Sequence, residues 1–124
     1  MYDPLTTALN GLSQVIDAPC APGTQAGNWR WTVRQRLGQL RDGLSHESAK
    51  AHDGWAVARE GSVLRERYAL MKRISELGPL VLENPELEAV RHDVRRLLAD
   101  VHHHRQRLHD VAWDEAEVDF GGSE

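Results

Sequence analysis

Residues 87–111 carry an apolar seam that allows few folds. Leu87, Val90, Val94, Leu97, Val101, His104, Leu108 and Val111 follow one another at steps of 3, 4, 3, 4, 3, 4 and 3. Such steps return to one face of a helix, and a stripe this long is buried only by lying lengthwise on other helices. One member of the seam is not apolar. It is His104, which closes the run His102-His103-His104 and is followed by His109 and Asp110.

The rest of the chain supplies the helices that such a seam requires. Asp3-Pro4 reads as an N-cap followed by proline at the first helical position. Leu5, Leu9, Leu12 and Ile16 then predict a short first helix from Pro4 to about Asp17. Residues 18–27 hold two prolines and two glycines and are expected to be a loop. Asn28 is expected to cap a second helix with the seam Trp29, Val33, Leu37, Leu40 and Leu44, continuing through Glu47, Ala51 and Trp55. A third helix should start near Gly61 or Ser62, with Val63, Arg67, Leu70, Ile74 and Leu77 inward and its end disturbed at Gly78-Pro79. Asn84-Pro85-Glu86 is the sharpest boundary and should open a fourth helix reaching about Trp113 or Ala116, roughly 40 Å long. The expectation is an all-α, up-down-up-down four-helix bundle with a short first helix, spanning residues 1–117, with a flexible tail at 118–124.

Composition narrows the function classes. At 124 residues the chain can bury one core. Cys20 is the single cysteine, so no intramolecular disulfide forms, which agrees with a reducing, cytoplasmic setting. Met1-Tyr2-Asp3-Pro4 has neither a basic n-region nor an apolar h-region after it, and no signal peptide is expected. No apolar run approaches the roughly 20 residues of a membrane span. A formal charge of -4, with acids interleaved among the arginines, speaks against a nucleic-acid surface. Gly-x-Ser-x-Gly, His-Glu-x-x-His and a glycine-rich phosphate loop are all missing, so no enzyme is expected.

Bundles build their sites from polar side chains on facing apolar seams. Three such residues stand out: Glu47, Arg67 and His104. Two readings compete. In one, His104 and His102 with Glu47 and His52 ligate a metal, iron or another divalent ion, with Glu66 or Tyr68 contributing from the third helix. In the other, Glu47, Arg67 and His104 form a buried polar cluster with no cofactor, because an inward glutamate and an inward arginine each need a partner. Arg67 favours the second, since a fixed cation repels a dication. Glu115 joins the inward acids if the fourth helix extends so far.

Three stretches resemble the hemerythrin-like family of bacterial helical bundles. They are His104-Arg-Gln-Arg-Leu-His-Asp-Val-Ala-Trp-Asp-Glu-Ala-Glu-Val-Asp-Phe-Gly-Gly, Trp29-Arg-Trp-Thr-Val-Arg-Gln-Arg-Leu-Gly-Gln-Leu-Arg-Asp-Gly-Leu and Leu64-Arg-Glu-Arg-Tyr-Ala-Leu. The resemblance implies a four-helix bundle around a non-haem di-iron centre that binds or senses oxygen, senses redox state or stores iron. It matches His104 to the family histidine of the last helix. Glu47 stands where the second helix would supply a histidine, and His52 where an acid is usual. Arg67-Tyr68 stands where the third helix often reads Glu-His. The ligand set is incomplete, so the resemblance implies a mononuclear or metal-free descendant. A metal-free interaction module, dimerising through an apolar stripe left uncovered by the short first helix, is the alternative.

Overall fold

The computed structural model of the chain describes residues 4–19, 24–46 and 57–121, with side chains over 4–19, 26–46 and 61–107. These form four helices: α1 (Pro4–Asp17), α2 (Thr24–His46), α3 (Val57–Glu83) and α4 (Leu87–Gly121). The first is the shortest, at 14 residues. Each helix packs on its neighbours in the chain, and α1 also closes on α4. The described residues contain no strand. The chain is thus an all-α four-helix bundle.

The core follows the seams. Leu5, Leu9, Leu12 and Ile16 of α1 are buried, as are Val33, Leu37, Leu40 and Leu44 of α2. From α3 come Leu70, Ile74 and Val81, and from α4 Val90, Val94, Leu97 and Val101. Helix α4 also buries Arg91 and Leu98. With Leu87, Val94 and Val101 these make a second seam of steps 4, 3, 4 and 3, which widens the buried stripe of α4 towards α1.

Neighbouring helices run antiparallel, and a few contacts set their register. Trp29 Nε1 donates to the Val15 carbonyl at 3.0 Å, joining the start of α2 to the end of α1. Arg30 Nη1 donates to the Val81 carbonyl at 2.8 Å and also to that of Asn84. Arg73 meets Asp100 at 2.6 Å between α3 and α4. Arg91 donates to the Ile16 carbonyl and, at 3.1 Å, to that of Ala18, while its guanidinium lies 5.1 Å from the centre of the Trp29 ring. A helix C-terminus leaves carbonyls unpaired and carries partial negative charge. Arg91 and Arg30 therefore cap α1 and α3 at the same end of the bundle.

Several boundaries differ from the sequence reading. Helix α2 begins at Thr24 rather than Asn28, and Asn28 lies inside it, its carbonyl accepting from Thr32 Oγ1 at 2.8 Å. Gly27 lies inside the helix, at a cost of about 1 kcal/mol for a helical glycine, and Trp29 two residues on is buried. The expected continuation of this helix through Glu47 and Trp55 lies outside the described residues.

Helix α3 begins at Val57, ahead of Gly61, and runs straight through Gly78-Pro79. Pro79 and Ser75 are both on the exposed side, so the carbonyl that the proline leaves without a donor faces water. Meanwhile Val81 is fully buried beyond it, which keeps the last turn attached. Asn84 does not cap α4 directly. Its Oδ1 accepts from the Glu86 backbone at 3.0 Å in an Asx turn, and the helix starts at Leu87. At the other end α4 continues to Gly121, through the first four residues of the expected tail.

Helix α1 approaches α2 closely at Gly43. A Cβ there would lie 3.0 Å from Leu5 Cα and 3.3 Å from Leu5 N, whereas one at Gly38 would meet nothing within 4 Å. Replacing Gly38 by alanine should raise stability by about 0.5–1 kcal/mol, because the unfolded chain loses freedom and the helix loses nothing. Gly43→Ala should instead lower it, since backbone rather than a pliable side chain must move. Gly43→Val should cost about 1–3 kcal/mol. Thermal unfolding followed by circular dichroism checks both; a stabilised Gly43→Ala would refute the close approach.

Candidate functional site

Among the described residues, the other buried polar side chains, Arg67 and His104, lie at the end of the bundle opposite Arg91 and Arg30. The pairing of α2 with α3 passes through Arg30 with Val81 and through Arg34, which lies 4.0 Å from a Cβ built at Gly78. Continued at the same rise, it brings His46, the last described residue of α2, level with Glu66. On α3 the inward seam passes through Arg67, which places Glu66, one residue earlier, on the edge towards α4.

His104 is completely buried, and its Nδ1 lies 2.7 Å from Glu66 Oε1. With the carboxylate ionised, Nδ1 carries the proton and donates. Arg107 stands one turn further along α4 and reaches the same carboxylate. Its Nε donates to Oε1 at 3.1 Å and its Nη2 to Oε2, a two-point contact that fits the planar fork of a guanidinium. Burial pushes the Glu66 carboxyl up. The hydrogen bonds from Arg107 and His104, with the charges of both, outweigh it and bring the group below its ordinary value of 4.5.

Arg67 is 5% exposed. Its guanidinium lies 5.0 Å from the centre of the Tyr68 ring, an exposed side chain. Among the described residues, its Nε and Nη1 are buried and have no hydrogen-bond partner. The neighbouring acid, Glu66, is already engaged by His104 and Arg107.

The expected site residues are therefore distributed unevenly. His104 and Arg67 both face the interior. The carboxylate that meets His104 is Glu66, which the sequence offered as a secondary contributor. Glu47 and His52 lie outside the described residues, as do the side chains of His109, Asp110 and Glu115. His102 does not join His104. It is exposed, because two residues along a helix are turned by about 200°. His103, His46 and His92 are exposed too. Arg107 went unnoticed in the sequence, although its spacing of three from His104 puts both on one face. No group of three His, Cys, Asp or Glu side chains among the described residues is arranged to hold a metal ion.

Glu66→Gln keeps the shape and removes the charge that His104 and Arg107 share. It should destabilise the chain at neutral pH by about 1.5–3 kcal/mol, the range for hydrogen bonds to charged groups. Because the folded carboxyl titrates below its ordinary value, its contribution is fully present above about pH 4.5 and is lost as pH falls through the folded pKa. Wild type and Glu66→Gln should thus converge in acid, which chemical denaturation at a series of pH values would show. A gap unchanged below pH 3 would refute the ionised pair.

No protein-family model, curated protein or solved structure matches the chain, so the chemistry of this cluster rests on its own geometry.

Proposed function

We propose that this chain is a hemerythrin-like bundle whose iron site has become a metal-free hydrogen-bonded cluster, and that it serves in the cytoplasm as a helical binding module. The observation that carries the reading is the state of Glu66. Both of its oxygens accept hydrogen bonds from cationic or ring N–H groups, and the next residue is a buried arginine. A dication placed there would have to displace Arg107 and sit near a second fixed positive charge. The named groups carry two arginine charges against one carboxylate. That balance suits an electron-rich partner and not a metal ion.

One feature favours a second reading. Histidines that ligate metals usually donate the other ring N–H to a carboxylate, and His104 with Glu66 is such a pair. In that case His104 would be a single surviving ligand of a weak mononuclear iron site, completed by Glu47 or His52.

Elemental analysis of untagged protein, with an ultraviolet–visible spectrum of the same sample, separates the two. The proposal expects substoichiometric metal even after incubation with ferrous iron under reducing conditions. One metal per chain, lost in His104→Ala, would establish the mononuclear site. Stoichiometric di-iron with oxo-bridge absorption would overturn the metal-free reading.

A further inference from the structure

We infer that Arg67 is the receptor of a small oxyanion, a carboxylate or phosphate group bound at the polar end of the bundle; the inference builds on the metal-free reading of the same cluster. Arg67 is 95% buried, yet the N–H bonds of Nε and Nη1 meet no acceptor among the described residues. A guanidinium stays protonated throughout the accessible pH range, so this side chain cannot escape the cost of burial by losing its charge. Buried N–H groups are almost always paired, and a buried unpaired cation is among the costliest features a fold can keep.

The groups beside Arg67 do not resolve the problem. The Tyr68 ring, 5.0 Å from the guanidinium carbon, attracts the charge but offers no lone-pair acceptor to the N–H bonds. Glu66 turns its oxygens to His104 and Arg107 and leaves Arg67 Nε and Nη1 without a bond. What Arg67 lacks is an acceptor that also carries negative charge. A carboxylate or phosphate oxygen supplies both, and the high burial limits the ligand to a small group. A metal cation or an apolar ligand would leave the same N–H bonds unpaired.

The test is thermal unfolding of untagged wild type, Arg67→Met and Arg67→Lys, titrated with inorganic phosphate and, separately, with acetate. Ionic strength is held constant with sodium chloride. Wild type should show a saturable rise in Tm with at least one of the two anions. Response to phosphate alone, to acetate alone or to both would identify the oxyanion class and support the site. Arg67→Met should lose that saturable rise, and Arg67→Lys should show a weaker one, since lysine keeps the charge without the planar donor set. Excluded kosmotropic salts stabilise most folded proteins without saturation, so an equal rise in wild type and Arg67→Met would overturn the proposal.

Arg67→Met carries a second readout. Replacing an unpaired buried cation by an apolar chain should leave Tm in chloride buffer unchanged or higher. A large fall, or failure to fold, would mean that Arg67 is already paired within the chain, and would overturn the inference. A phosphate response that appears only in Glu47→Gln would do the same, by showing that the Glu47 carboxylate occupies the receptor. Metal content measured on the same samples keeps the two ideas apart. Stoichiometric iron refutes the metal-free function, whereas metal-free protein without any saturable anion response refutes the oxyanion site alone.

Discussion

A charged or polar side chain inside a helical bundle must find a partner, and this constraint organises both ends of the molecule. The buried polar residues among those described are Arg67, Arg91 and His104. Each stands on or beside an apolar seam, and each meets the constraint differently. Arg91 turns to the free carbonyls at the end of α1 and to the face of Trp29. His104 turns to Glu66, which Arg107 holds in place. Arg67 lies beside an aromatic ring, and among the described residues its Nε and Nη1 meet no acceptor.

The two ends consequently differ in character. Where Arg91 and Arg30 lie, helix C-termini provide the negative charge, and backbone carbonyls satisfy the guanidinium groups. That arrangement is structural: through Nη1 of each arginine it binds α1 to α4 and α2 to α3. At the other end, among the described residues, one carboxylate, Glu66, is shared by a histidine and an arginine. There the donors outnumber the acceptors among the named groups. A short first helix is compatible with this division. Its C-terminal turn is pinned by Trp29 and Arg91, and its N-terminal turn rests on the bare backbone at Gly43.

Much of the fold was legible in the spacing of apolar residues, because burial of a helix face repeats every three or four positions whatever its partner. Over the described parts of the chain, each expected seam residue of α1 and α2 is buried, as are Val90, Val94, Leu97, Val101 and His104 of α4, whereas Ala8, Arg91 and Leu98 are buried off those seams. Helix ends were less legible. Gly78-Pro79 reads locally as a stop, but the helix continues because Val81 is buried beyond it and the freed carbonyl faces solvent. Asn84 reads as a cap, yet its side chain closes an Asx turn over residues 84–86, just before the helix begins at Leu87. In both cases the local signal was real and long-range packing chose how it was used.

The candidate site shows the same division more sharply. By itself the sequence determined that Arg67 and His104 face inward, since helical periodicity assigns a residue to a face without reference to anything else. Pairing His102 with His104 as ligands did not hold, because two residues along a helix differ by about 200° and only His104 is buried. Tertiary structure alone decided that His104 meets Glu66, that Arg107 completes the group and that Arg67 receives neither. Those pairings depend on the register between α3 and α4. A shift of one turn would change every partner while leaving each seam intact, because apolar contacts are non-directional and hydrogen bonds are not.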